Sequence, residues 1–156
     1  MSRTLEHEAE YAHPIEKVWR ALTEADQMGQ WIMNFSNAPD EMKTDFRPVV
    51  GTTYRMNART GRGWRGYVVG TVLEVVPNER LVYTWAGSDE QDTNPVRVEF
   101  TLQRTPKGTR LHMVQSGFVP GVKGWFVLKG AQMGWKKMLD SGILPVLDGT
   151  APKLAA

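Results

Sequence analysis

The sequence predicts a single α+β domain in which a curved antiparallel sheet wraps around one long C-terminal helix. Three observations carry that prediction. Apolar residues recur with a period of two through five successive segments between residues 52 and 116, and short turns join most of them. Helical patterns flank this run, a short pair after a first strand and one long stretch near the C-terminus. The 156 residues are one domain's worth, enough to bury a core without staples.

Taken in order, Leu5, His7, Ala9 and Tyr11 alternate with Glu6, Glu8 and Glu10, which is a strand with one wet face. His13-Pro14 opens a helix, with Pro14 at the first helical position, where proline's missing N–H is not needed. Ile15, Val18, Trp19 and Leu22 make its apolar face. Thr23 ahead of Asp26 reads as the cap of a second short helix that closes at Trp31. Residues 34–51 are polar with two prolines, and read as a long loop with one short extended piece near Phe46. Residues 52–59 form a strand with Tyr54 and Met56 on one side. Gly61-Arg62-Gly63 turns the chain. Residues 64–76 are apolar on both faces at Val68, Val69, Val72 and Leu73, a pattern that suits a bulge. Leu81, Tyr83 and Trp85 alternate next.

After an acidic loop at 87–94, Val96, Val98, Phe100 and Leu102 alternate with Arg97, Glu99 and Thr101. Pro106-Lys107-Gly108 makes a hairpin turn, and Leu111, Met113 and Gln115 alternate with His112, Val114 and Ser116. The last helix runs from about Trp125 to about Leu147 with two adjoining stripes. One passes through Phe126, Gly130, Met133 and Lys137, the other through Leu128, Ala131, Trp135, Met138 and Gly142. Pro145 kinks or ends its last turn. Residues 148–156 read as a tail, so one domain spans 1–156 with an ordered core of about 5–147. Only the last helix is long enough to cover the sheet's apolar face. This is the helix-grip arrangement, and it leaves a cavity wherever the lining residues do not fill the space.

The run from His13 to Thr23, "HPIEKVWRALT", ending at Trp31, resembles the opening of the START-like (SRPBCC) superfamily, and within it the family of activator-of-heat-shock-ATPase homologues. "GTVLEVVPNERLVYTW" from Gly70 to Trp85 is similar to that family's central hairpin, and "GTRLHMVQSGF" from Gly108 to Phe118 to its last hairpin strand. Gly134-Trp135 with Leu139 resembles its C-terminal helix motif. The resemblance spans about residues 5–147. Two departures bear on a ligand: Ile32-Met33-Asn34 replace an aromatic and a proline common after Trp31, and Gln115 stands where relatives often have histidine.

Strand parity places Tyr54, Met56, Tyr83, Trp85, Phe100, Met113 and Gln115 on the buried face. Met133 and Met138 are expected to face them from the helix, and Trp31 and Phe35 to sit near an entrance. A few polar groups in an apolar wall are what small-molecule sites present, and each such group needs a partner.

Composition narrows the alternatives. There is no cysteine, hence no thiolate site. His7, His13 and His112 lack a metal-ligand spacing, and no nucleophile-elbow or phosphate-loop motif occurs, so no cofactor is expected. A net charge of +2 argues against a nucleic-acid partner, and the basic turn at Arg59, Arg62, Trp64 and Arg65 reads as a solvated hairpin tip. Neither a signal peptide nor a membrane-inserting segment is indicated, and a cytoplasmic location is expected. The oligomeric state is left open. The first functional expectation is a binder of a hydrophobic or aromatic small molecule. The resemblance adds a chaperone-associated interaction module and, third, a cyclase or hydrolase of aromatic compounds. Glu74 and Glu99 are the only carboxylates on the central strands, and Glu99 has outward parity, which leans against an enzyme.

Overall fold

The computed structural model describes residues 3–33, 42–58, 67–86, 96–118 and 121–150. The chain order is β1 (Arg3–Tyr11), α1 (Ile15–Thr23), α2 (Ala25–Met28), β2 (Met42–Thr44), β3 (Thr53–Ala58), β4 (Tyr67–Val76), β5 (Arg80–Trp85), β6 (Val96–Thr105), β7 (Gly108–Phe118), α3 (Val122–Lys137), a π-helical turn (Met138–Gly142) and α4 (Leu144–Asp148). The strands form one antiparallel sheet in the order β1-β7-β6-β5-β4-β3-β2. β1 and β2 are therefore opposite edges, and the α1–α2 segment lies between them in the chain. The helix-grip α+β architecture is the one read from the sequence.

Local chemistry explains most elements. In β4 plain alternation buries Val68 and Val72 and exposes Val69 and Leu73; the register then slips between Val72 and Glu74, after which Val75 packs against the core. One extra residue on β4 switches which parity faces inward. The turn after β6 ends at Gly108, with φ +148, where a Cβ would fall 2.2 Å from the Tyr11 carbonyl oxygen. No other residue fits there.

Three readings shift, and the short extended piece expected near Phe46 is present. Pro14 is extended and precedes the first helical residue, Ile15. Thr23 does not cap α2: its hydroxyl donates to the Trp19 carbonyl at 2.8 Å, and Glu24 takes the cap position without a side-chain bond. The short extended piece is β2, just ahead of Phe46, and Phe46 itself is buried. The long helix is broken by the π turn, where the Ile143 N–H reaches back five residues to the Met138 carbonyl. Pro145 lies in the first turn of α4, where it is tolerated.

The π turn is where β1 holds the C-terminal segment. The Tyr11 hydroxyl donates to the Leu139 carbonyl at 2.6 Å. His7 Nε2 meets Asp140 at 2.7 Å, and His13 Nε2 meets Asp148 at 2.8 Å. The last of these elements, α4, ends at Asp148. The turn at 61–63, Trp64 and residues 151–156 lie outside the described residues.

The core is continuous. Val18 and Leu22 of α1, Met56 of β3, Leu81 and Tyr83 of β5, Phe100 of β6, Leu111 and Met113 of β7, and Leu139, Ile143 and Leu147 of the C-terminal segment share it.

Candidate functional site: an aromatic interior with one unpaired hydroxyl

Alternation on β3, β5, β6 and β7 points Tyr54, Met56, Tyr83, Phe100, Met113 and Gln115 to one side, and all six are buried. Trp85, at the end of β5, is half-buried and is the ring of this group that reaches solvent. Phe46 and Trp135 complete an aromatic chain. Phe46, Tyr54 and Tyr83 meet edge-on, with centroids 5.3 to 5.5 Å apart. Tyr83 continues to Phe100 at 6.1 Å and Trp85 at 6.5 Å. Trp135 contacts Phe100 at 5.8 Å and Trp85 at 5.7 Å.

Every ring in this chain that carries a polar atom is a test of the interior, because a buried donor needs a partner. The Tyr54 hydroxyl donates to the Thr84 carbonyl. The Trp135 indole N–H donates to Gln115 Oε1 at 2.7 Å. Tyr83 differs. Its hydroxyl is fully buried and has no hydrogen-bond partner among the described residues. Burial pushes the Tyr83 phenol far above its usual pKa, so it is held neutral and can both donate and accept. Burial acts on Tyr54 in the same direction, reinforced by the neighbouring Tyr83.

The ladder between β4 and β5 is interrupted beside this cluster. The Thr71 N–H is satisfied by the Thr84 hydroxyl at 2.8 Å, and Tyr54 lies over Gly70. A Cβ at Gly70 would fall 1.9 Å from the Thr84 carbonyl oxygen. An open groove of about 420 Å³ runs here, lined by Asp45, Arg55, Gly70 and Thr84.

Two of the expected lining residues, Met133 and Trp31, are placed differently, while Met138 shares the buried core with the sheet residues. Met133 is 75% exposed and does not face the sheet. It follows Leu128 by five positions and precedes Trp135 by two, which puts it about 140° and 200° round the helix from those core-facing residues. Met138 is buried in the π turn. Trp31 is no entrance residue: it is fully buried, and its indole N–H donates to the Ala21 carbonyl at 2.8 Å. Phe35 lies outside the described residues. The sequence reading missed Phe46 and Trp135 as members of the cluster. Trp135 had a usable signal, since it shares its stripe with Met138.

Glu74 and Glu99 form an ion-pair cluster with Arg80 and Arg97, with Glu99 on the opposite face from Val98 and Phe100. No three of His, Asp and Glu converge as metal ligands among the described residues.

The profile of the family described as activator of Hsp90 ATPase homolog 1-like protein matches residues 12–141. No curated protein matches the chain. Among solved structures, protein MLL2253 from Mesorhizobium loti is 37% identical, with a TM-score of 0.78, over 95% of this chain and 98% of that one. The Aha1 dimer from Colwellia psychrerythraea is 19% identical, with a TM-score of 0.73, over 96% of this chain and 99% of that one. DynU16, from the dynemicin biosynthetic locus, is 20% identical, with a TM-score of 0.72, over 97% of this chain and 49% of that one.

Proposed function

The chain belongs to the family of activator of Hsp90 ATPase homolog 1-like proteins, and from that premise we propose that it binds a small, largely aromatic molecule between the sheet and the C-terminal helical segment. The observation that carries this reading is the Tyr83 hydroxyl, buried without a partner inside a cluster of aromatic rings. Such a group costs about 1–3 kcal/mol relative to a paired one. A ligand with one polar group in an apolar body removes that cost and gains the rings. Trp85, half-buried at the end of the chain of rings, is the point of entry. DynU16 shares the fold and comes from a biosynthetic locus, a setting in which small molecules are made.

The test is native mass spectrometry of freshly purified protein, followed by thermal melts with hydroxylated aromatics, flavonoids, fatty acids and sterols. A bound mass, or a melting point that climbs with the concentration of a hydroxylated aromatic, is expected. An empty protein that none of these compounds stabilises contradicts the reading.

A second reading is docking to a chaperone ATPase, which the family's description suggests. One surface observation favours it: Val49 and Val50, between β2 and β3, are 53% and 59% exposed. Replacing both with serine and measuring ATPase stimulation tests it.

A further inference from the structure

The outward face of α3 takes no part in the aromatic interior. Four large apolar side chains stand in solvent there: Val122 is 76% exposed, Phe126 64%, Met133 75% and Trp125 45%. They are not scattered. At about 100° per residue, Val122, Phe126 and Met133 fall within about 40° of one another, on the side opposite Trp135. Lys129 falls in the same sector, with its ammonium 5.8 Å from the centre of the Trp125 ring. Trp125 in turn meets Phe126 edge-on at 5.0 Å. Lys136 is exposed further along the same side. The α3 sequence, VKGWFVLKGAQMGWKK, holds four lysines and no acid. The first acid after it, Asp140, is engaged by His7.

Charge decides what can cover this face. A second copy placed on it would set lysine against lysine around the apolar stripe. The partner has to offer apolar depth and negative charge together. The face is also the convex side of a single helix, so it fits a fluid surface better than a shaped pocket. Lysines interleaved with exposed tryptophan, phenylalanine and aliphatic side chains on one helix face suit an anionic lipid interface, which takes both the apolar groups and the charge.

We propose that α3 docks this protein peripherally on an anionic lipid surface. Val122, Phe126 and Met133 enter the boundary between headgroups and acyl chains. Lys129 and Lys136 meet the headgroup phosphates. The sixteen residues of α3 lie along the surface over about 24 Å. They do not cross it, since among the described residues no helix is long and apolar enough to span a membrane.

The experiment is cosedimentation of the full chain with large vesicles, either of phosphatidylcholine alone or of equal parts phosphatidylcholine and phosphatidylglycerol. Partition onto the anionic vesicles only is expected, and it should weaken at about 0.5 M salt. Two double variants, Phe126→Ser with Met133→Ser and Lys129→Glu with Lys136→Glu, should each weaken it at least about tenfold. Their melting points should stay at the wild-type value, because all four side chains are exposed. No partition onto anionic vesicles, equal partition onto both lipids, or partition that neither double variant weakens overturns the proposal. So does a dimer in the absence of vesicles that Phe126→Ser with Met133→Ser converts to monomer, which would give the face to a second copy of the chain.

Discussion

Replacing Tyr83 with phenylalanine removes one oxygen and nothing else from the ring cluster. In most proteins a buried Tyr→Phe change loses a hydrogen bond and destabilises. Here the oxygen has no partner, so the change deletes an unsatisfied polar group while keeping the contacts of the ring with Phe46, Tyr54, Trp85 and Phe100. The empty variant is expected to gain about 1–2 kcal/mol, at the lower end of what an unsatisfied buried hydroxyl costs. For a chain of this size that is a rise in Tm of about 2–8 °C. The ligand that stabilises the wild type should bind the variant about five- to tenfold more weakly, because it loses one hydrogen bond.

The pH dependence carries the same signature. The folded-state pKa of Tyr83 is raised by burial, whereas the unfolded phenol titrates near its ordinary value of about 10. Stability from this group is fully present below about pH 10 and falls as pH rises above it, by about 1.4 kcal/mol per pH unit. The Tyr83→Phe variant lacks that slope and should unfold less steeply in alkali. Thermal melts and urea titrations of the ligand-free proteins between neutral pH and pH 11 read both effects. A variant that melts below the wild type at neutral pH refutes the argument, since it would mean the hydroxyl is already satisfied.

Other expectations follow from the packing. Gly70→Ala forces a Cβ onto the Thr84 carbonyl oxygen, and should cost at least about 2 kcal/mol in urea denaturation; a melt at the wild-type temperature contradicts that close approach. Tyr11→Phe leaves the buried Leu139 carbonyl without the hydroxyl that reaches it, and should cost about 1–2 kcal/mol, seen as faster hydrogen exchange around residues 138–148. Trp85→Ala opens the half-buried end of the ring chain, and should weaken ligand uptake about tenfold or more while costing less than the 3–5 kcal/mol of a fully buried aromatic; unchanged affinity removes Trp85 from the site.

Much of this architecture was legible from local pattern. Period-two alternation is a direct consequence of strand geometry, so the inward set on β3, β5, β6 and β7 could be read one residue at a time. The stretch at Val68–Leu73 is apolar on both faces because Val69 and Leu73 stand exposed on the outer one; a register slip does occur in this strand, between Val72 and Glu74, but it does not produce that pattern. The helix was harder. Its two stripes adjoin, and both carry large apolar residues, so nothing in the pattern distinguishes the one that meets the sheet. The structure selects the stripe through Leu128 and Trp135 and leaves Met133 in solvent. Trp31 misled for a different reason. An aromatic beside a long loop suggests an entrance, but its indole N–H is satisfied by the Ala21 carbonyl, and that bond draws the ring into the core. The unpaired state of Tyr83 could not be foreseen, because hydrogen-bond partners that lie far apart in the chain leave no mark on local spacing.

The central claim is the location of the ligand, and the indole groups report on it directly. The six tryptophans give separate ¹⁵N–¹H indole signals, assignable by single replacement. The measurement is their shift on titration with the hydroxylated aromatic that raises Tm most. The account predicts that Trp135 and Trp85, which flank the cluster, move together and saturate with the Tm shift, while Trp125, out on the exposed face of α3, stays in place. Saturable movement of Trp125 alone, or no indole movement at all, contradicts it.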